Sequence, residues 1–438
     1  MPSTLPKLGL GLALCLGAAF AQNPPAAPAN APLRLTLEDA LARARANSPE
    51  MLRANLDALL AREDTVQAKA GLLPSASSFN QFIYTQPNGA PSGVFISNDG
   101  VRVYNNQAIV HGDIYAPEKM AGYHRAQVAE ALAHAKAEIA ARGLAATVVA
   151  NFYGMAAADR KLANGRQSLT EARHFLDITE KQEKGGEAAH ADVVKAQIQV
   201  EQRQRDAQGA QLALDKARLE FSVLLFPDFR QDFSVEDDLE TARLLPAFPE
   251  IQAMAASNNP DIRVAQATLA MQNWDLKAAR AAMLPSLSFD YFFGLNGNQF
   301  ALHTPDGLRN YGSAAQAQLT IPLWTNGAAR SKIRQAELSL QQARSDLSFT
   351  QRELLADLNS FYREADIANL QIASLRRSAE LSSDNLKLTL ERYQAGEATA
   401  FEVVDAQSTL ADARNGFDDG LVRSRVALAN LQTLTGAF

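Results

Sequence analysis

The sequence predicts a mainly α fold with a transmembrane β component, written twice in one chain. Three observations carry that expectation. Landmark residues recur in one order at an offset of about 210 positions. Long proline-free tracts repeat apolar residues every seven positions, as coiled coils do. Each half also breaks its helices with short segments of alternating polarity, the pattern of half-buried strands. The expected units are a leader over 1–21, a spacer over 22–33, a first repeat over 34–226, a linker over 227–247 and a second repeat over 248–436.

The duplication is read from particular residues. Asn47-Ser48-Pro49-Glu50 returns as Asn258-Asn259-Pro260-Asp261, and Leu73-Pro74-Ser75 returns as Leu284-Pro285-Ser286. Phe152-Tyr153 returns as Phe361-Tyr362, Gly186-Glu187-Ala188 as Gly396-Glu397-Ala398, and Asp192-Val193-Val194 as Glu402-Val403-Val404. Two copies are too few for a solenoid, which needs at least about three stacked units.

The N-terminus reads as an address. Lys7, the apolar stretch Leu8–Phe20 and Ala19-Phe20-Ala21 form a positive n-region, an h-region and a small-x-small cleavage site. Cleavage is expected after Ala21. Cys15, the sole cysteine, leaves with the leader, and Leu14 before it argues against lipidation. With no second cysteine, a disulfide framework or a multi-cysteine metal site is excluded. Lys and Arg total 42 against 48 Asp and Glu, so no basic stripe for nucleic acid is expected. Beyond the leader no apolar run is long enough for a membrane helix, which leaves a strand-built crossing open.

In each half a short helix comes first; in the first copy Thr36 is the N-cap and Asp39 its partner three residues on. A helix of roughly 25 residues follows, over Pro49–Leu73 and Pro260–Leu284, each opened by proline and closed by a Leu-Pro-Ser breaker. Then come long tracts, Glu118–Lys184 and about Gly327–Gln394. At 1.5 Å per residue each spans roughly 100 Å. Ile333, Leu340, Leu347, Leu354, Phe361, Ala368 and Leu375 mark the heptad seam of the second tract. Val193, Val200, Ala207, Leu214 and Phe221 mark the helix after Gly186, and Val403, Leu410, Phe417, Ser424 and Leu431 mark its copy. A seven-residue repeat imposes a left-handed supercoil.

Strands are expected at about 75–85 and 106–115 in the first half and at 286–294 and 311–323 in the second, with loops over 86–100 and 294–310. Leu287, Phe289, Tyr291 and Phe293 share one face, and Ala315, Ala317, Leu319 and Ile321 match them. Ile109 and Phe292 are the exceptions on the polar face. Apolar-out, polar-in strands of about ten residues are the outer-membrane barrel pattern. Four strands do not close a barrel, and lipid tolerates no open edge. Two chains would give about eight strands, whose interior side chains fill, so a conducting duct needs at least three chains.

These residues resemble the TolC-like outer membrane efflux proteins over about 34–436. The marks are Leu35-Thr36-Leu37-x-Asp39-Ala40-Leu41, the Asn-x-Pro starts at 47 and 258, the two Leu-Pro-Ser breakers and the twin Gly-Glu-Ala turns. The resemblance implies a homotrimer in the outer membrane lipid of a Gram-negative bacterium, with a 12-stranded β-barrel and a helical α-barrel tunnel in the periplasm. It implies passive export in a tripartite efflux or type I secretion system, with a periplasmic adaptor (membrane fusion protein) and an inner-membrane transporter of RND or ABC type. By that carry-over Gly186, Glu187, Gly396 and Glu397 form adaptor-docking hairpin tips. Asp192, Tyr393, Glu402 and Asp405 fall at the periplasmic entrance. Lys195 stands where Asp405 stands in the second half, and Ala398 and Thr399 replace a basic residue common in the family, so the entrance lock is expected to differ. The competing reading is a periplasmic coiled-coil scaffold with a small soluble sheet and no channel activity.

No nucleophile–base pattern, phosphate loop or metal-ligand spacing appears, so no enzyme activity, metal or cofactor is expected. His124 and His134 lie ten apart and off a common helical turn, and His111 is expected to face the barrel lumen.

Overall fold

The computed structural model describes residues 33–85, 101–241, 244–297 and 299–436. The leader and nearly all of the spacer lie outside the described residues, as does the loop over 86–100. The elements in chain order are β1 (Leu33–Leu35), α1 (Leu37–Asn47), α2 (Pro49–Ala70), β2 (Ser75–Thr85), β3 (Val101–Tyr115), α3 (Pro117–Gly185) and α4 (His190–Leu225). They continue as β4 (Phe233–Val235), α5 (Phe248–Asn258), α6 (Pro260–Ala281), β5 (Ser286–Gly297), β6 (Tyr311–Thr320), α7 (Ala328–Gln394) and α8 (Ala400–Thr435).

The repeat is visible in matched lengths and matched caps. α2 and α6 have 22 residues each, and α4 and α8 have 36 each. The Ser48 hydroxyl accepts from the Met51 amide at 3.3 Å, and the Asn259 side-chain oxygen accepts from the Ile262 amide at 3.0 Å. Proline follows each cap at the first helical position, where its missing N–H costs nothing. Thr36 and Asp39 form a reciprocal capping box on α1, and the hydrogen bond from Thr36 holds the Asp39 carboxyl below its usual range.

α2 and α6 end three residues before their expected limits at Leu73 and Leu284. The last turn tightens, with Leu72 donating to the Lys69 carbonyl at 3.1 Å and Met283 to that of Arg280 at 3.1 Å. Pro74 and Pro285 then force the preceding leucine out of helical geometry.

Four strands form one antiparallel sheet in the order β2-β3-β5-β6. β3 starts at Val101, five residues earlier than its sequence suggests. Asn105 reads as loop and Asn106 as the first residue of the strand, but Asn105 donates to Gln81 at 3.1 Å and Asn106 to Asn80, so the strand is pinned by amides across the pair. β5 continues to Gly297. β6 stops at Thr320 rather than at 323, because Pro322 has no N–H to continue a ladder. The register sets Phe289, Tyr291 and Phe293 beside Gly112, Val110 and Ala108 of β3 and beside Ala317, Ala315 and Ser313 of β6. That face is apolar. The opposite face carries Gln107, His111, Asp290, Gln316 and Gln318, with His111 Nδ1 2.7 Å from Asp290 Oδ1. Ile109 and Phe292, the two exceptions to the alternation, are register partners and form one apolar patch on the polar face.

α3 is 69 residues long and α7 is 67. Each folds back on the helix that follows it, and α3 also packs against α8 and α6. The heptad residues Val193, Leu214, Phe221, Val403, Leu410 and Leu431 are buried in these hairpins. The seam residues of α7 are only partly covered apart from Leu340 and Ala368.

A second, parallel sheet that the sequence does not announce pairs Leu33 with Phe233 and Leu35 with Val235. It caps the largest core, where Phe152, Tyr153, Phe221, Phe233 and Leu225 meet. Residues 233–241 of the expected linker are therefore a strap fixed to the helices. Arg425, 5% exposed, donates to the carbonyls of Asp238 at 2.5 Å and Thr241 at 2.7 Å. Arg160 reaches Asp237 at 2.5 Å and Glu240 at 3.1 Å from the same strap.

Candidate functional site at the paired hairpin tips

The two helical hairpins end side by side, and their turns share one construction. Gly186 has φ +80° and Gly396 has φ +77°, the left-handed conformation that glycine adopts without a Cβ clash. The Glu187 amide donates to the Gln182 carbonyl at 2.8 Å, and the Glu397 amide to the Arg392 carbonyl at 2.8 Å. These bonds satisfy helix-end carbonyls that would otherwise lack a partner. Gly186, Glu187, Gly396 and Glu397 are all exposed.

The helices that leave the turns start differently. α8 opens with a full capping box, in which Thr399 accepts from the Glu402 amide at 3.3 Å and the Glu402 carboxylate accepts from the Thr399 amide at 3.2 Å. α4 opens at Ala189, which has no side-chain cap, and His190 instead meets Glu183 at 2.7 Å. Thr399 thus builds the start of α8. Arg392, four residues before Gly396, donates to the Glu397 carbonyl at 3.0 Å and lies 3.5 Å from Glu402.

Beneath the turns a small core joins the hairpins. Phe175 of α3, Ala196 of α4, Tyr393 of α7, and Ala400 and Val403 of α8 are buried together. Phe175 and Tyr393 meet edge to face with centroids 5.1 Å apart. The Tyr393 hydroxyl donates to Thr179 Oγ1 at 3.4 Å, and Gln182 donates to the Tyr393 carbonyl at 3.4 Å. Burial raises the Tyr393 pKa, and the nearby Asp192 carboxylate pushes it the same way.

Of the residues expected at the entrance, Tyr393 sits inside the joint of one chain's two hairpins. Asp192 is half-buried beside it, Glu402 caps α8, and Asp405 is exposed. Lys195, the counterpart of Asp405 in the first repeat, stands with its ammonium 4.3 Å from the Phe401 ring centroid. Thr179, Phe175, Arg392 and Phe401 were not singled out from sequence. Only the Thr399-x-x-Glu402 box had a readable signal, since Ser/Thr followed by Glu three residues on marks a helix start.

Farther up the helices is a buried polar joint. Asn164 donates to Asp418 at 2.8 Å, and Arg160 approaches the same carboxylate at 3.4 Å. Burial raises the Asp418 pKa against the opposing pull of Asn164 and Arg160.

A family model described as outer membrane efflux protein matches residues 40–225 and 252–437. The outer membrane protein OprJ of Pseudomonas aeruginosa is 27% identical over 68% of this chain, and the chain spans 63% of that relative's length. The outer membrane protein TolC of Vibrio cholerae is 21% identical over 90% of this chain and 89% of its own. Among solved structures, the outer-membrane channel OprN superposes with a TM-score of 0.82 at 16% identity, over 92% of this chain and 90% of that one.

Proposed function

The chain belongs to the outer membrane efflux protein family, with the fold of TolC-like channels and a place in the Gram-negative outer membrane, and from that premise we propose that it is the passive exit duct of a tripartite efflux or type I secretion system. It works as a homotrimer whose three four-stranded sheets close one 12-stranded barrel. The helices continue from that barrel as a periplasmic tunnel.

The observation that carries this reading is the sheet. Among the described residues it has one apolar face, one polar face and two free edges, at β2 and β6. Free edges are not viable in lipid, so β2 of one protomer pairs with β6 of the next. The edge helices support the same assembly. Leu52, Leu56 and Leu59 of α2 and Leu355, Leu370, Leu381 and Leu388 of α7 are exposed in the single chain, and a neighbour on each side covers them. The outward apolar face meets lipid, and the face bearing His111 and Asp290 lines the lumen.

At the other end, Gly186-Glu187 and Gly396-Glu397 dock a periplasmic adaptor, through which an inner-membrane transporter hands over its substrate. Asp192, Tyr393, Glu402 and Asp405 form the entrance. Outer-membrane fractionation, heat-modifiable migration in gels and planar-bilayer recording test the duct together. A trimer that dissociates on boiling and conducts ions is expected. A chain that stays monomeric and does not conduct overturns the duct in favour of a periplasmic scaffold.

A further inference from the structure

At the periplasmic end of the sheet, where β3 passes into α3, a cleft of about 330 Å3 opens between the start of α3 and the end of α6. Ile114, Tyr115 and Met120 form one wall, and Trp274, Lys277 and Ala281 form the other. Among the described residues its lining holds one cation and no carboxylate. The Lys277 ammonium lies 3.7 Å from the Trp274 ring centroid, and His124 stacks on the same ring at 4.5 Å. Asp275, the carboxylate next along α6, is already paired with Arg125.

The cleft faces outward. Tyr115 is the register partner of Leu287, which pairs with Leu319, so Tyr115 belongs to the apolar face of the sheet. Lys119, on the other side of α3, turns instead to Asp113 on the polar face. The cleft also stays open in a closed ring of chains. It lies between the helices joined to β3 and β5, the two inner strands, whereas neighbours meet at β2 and β6.

We propose that this cleft binds the headgroup of an anionic phospholipid of the phosphatidylglycerol class. Its acyl chains continue up the apolar strand face past Ile114 and Tyr115, and its phosphate meets Lys277 at the rim. Three features select that occupant. The cleft is continuous with the lipid-facing surface, it lies where strands give way to helices at the membrane boundary, and its charge is positive. Aromatic and long cationic side chains are favoured at that boundary because one end of each is apolar and the other wet. The indole ring holds the Lys277 ammonium at the mouth of the cleft through the attraction of a cation to an aromatic face.

The inference rests on the membrane-spanning reading of the sheet, and the two tryptophans of the chain separate them. Trp324→Phe leaves Trp274 as the reporter in the cleft. Trp274→Phe leaves Trp324, which is 81% exposed beyond the end of β6. The full chain is reconstituted in phosphatidylethanolamine vesicles containing either brominated phosphatidylglycerol or the same amount of brominated phosphatidylethanolamine. Trp274 fluorescence is expected to be quenched by the anionic lipid at about fivefold lower concentration, the worth of one basic residue at an anionic surface. Lys277→Ala removes that preference and Lys277→Arg keeps it. Equal quenching of Trp274 by both lipids, or a preference that survives Lys277→Ala, overturns the site while quenching of Trp324 by both lipids leaves the barrel standing. If neither lipid quenches Trp324, the membrane reading of the sheet fails and the site fails with it.

Discussion

Tyr393 of α7 donates its hydroxyl to Thr179 of α3 across 3.4 Å, and both residues are buried where the two hairpin tips join. This bond, the Phe175 edge contact and the Gln182 bond to the Tyr393 carbonyl tie the ends of the two repeats together over their shared core. Tyr393→Phe keeps the ring and loses the bond, at a cost of about 0.5–1.5 kcal/mol. Tyr393→Ala also empties the ring's site, at about 3–5 kcal/mol. Hydrogen exchange reads the difference: tip amides around 176–200 and 386–404 exchange faster in both variants, while those around Phe152 and Phe221 do not change. The same tyrosine sets an alkaline limit. Its folded pKa is raised by burial, so its contribution is complete below the ordinary tyrosine value near 10 and is lost as pH rises through the folded value. Tip exchange therefore accelerates above about pH 10 in the parent, beyond the general rise of base catalysis, and Tyr393→Phe removes that increment.

Asp418 gives a prediction of the same sign in a lower pH window. Its carboxyl is raised by burial, so the proton is favoured in the folded state. The contribution is complete below the unfolded pKa near 4 and is lost as pH rises through the folded value. At pH 7 the ionised form is a net cost. Asp418→Asn keeps an oxygen for the Asn164 amide, and Arg160 retains Asp237 at 2.5 Å and Glu240 at 3.1 Å. The variant is expected to melt at the same temperature as the parent or a few degrees higher at pH 7, and to lose any advantage near pH 4. A fall of more than about 2 kcal/mol at pH 7 would mean that the Arg160 pair outweighs desolvation.

The legible part of this molecule is the part encoded by local pattern. Gly186 and Gly396 are found because a left-handed turn between helices selects glycine, and the duplication shows it twice. β5 is found because Leu287, Phe289, Tyr291 and Phe293 alternate. The start of β3 is missed because Asn105 is an ordinary loop residue until Gln81 stands opposite it. Arg160 and Asp418 are 258 residues apart, and Arg425 answers backbone carbonyls, which leave no mark in sequence. Lys195 shows the limit of comparing repeats. Aligned with Asp405 it suggests charge neutralisation, but its neighbour is Phe401, where the first repeat has Ala191.

Gly294 tests the sheet. Its φ is +154°, and a Cβ there would stand 2.1 Å from the Asn106 carbonyl oxygen of β3. That atom belongs to the backbone, so nothing flexible gives way. Gly294→Ala is expected to break the β3–β5 ladder and abolish the heat-modifiable trimer, whereas Gly312→Ala, with no atom within 4 Å of the added carbon, assembles normally. Equal trimer yields would show that β3 and β5 pair differently in the assembled barrel.

Asp405 tests the entrance. It is exposed and caps no helix, unlike Glu402, whose removal also dismantles the Thr399 capping box at a cost of about 1 kcal/mol. Asp405→Ala is therefore the cleaner probe of charge. In the proposed trimer it removes three like charges from one ring, and such a ring attracts cations and repels anions. The variant is expected to lose cation preference and to resist block by divalent ions from the periplasmic side. Screening sets the salt dependence: with a Debye length of about 30 Å at 0.01 M and 3 Å at 1 M, the difference from the parent is large in dilute salt and small in concentrated salt. Lys195→Ala should act oppositely if the ammonium reaches the ring, and should leave conductance unchanged if it stays on Phe401. Planar-bilayer recordings of the three proteins at both salt concentrations decide it. Identical conductance and identical block in Asp405→Ala at low salt would place that carboxylate outside the conduction path.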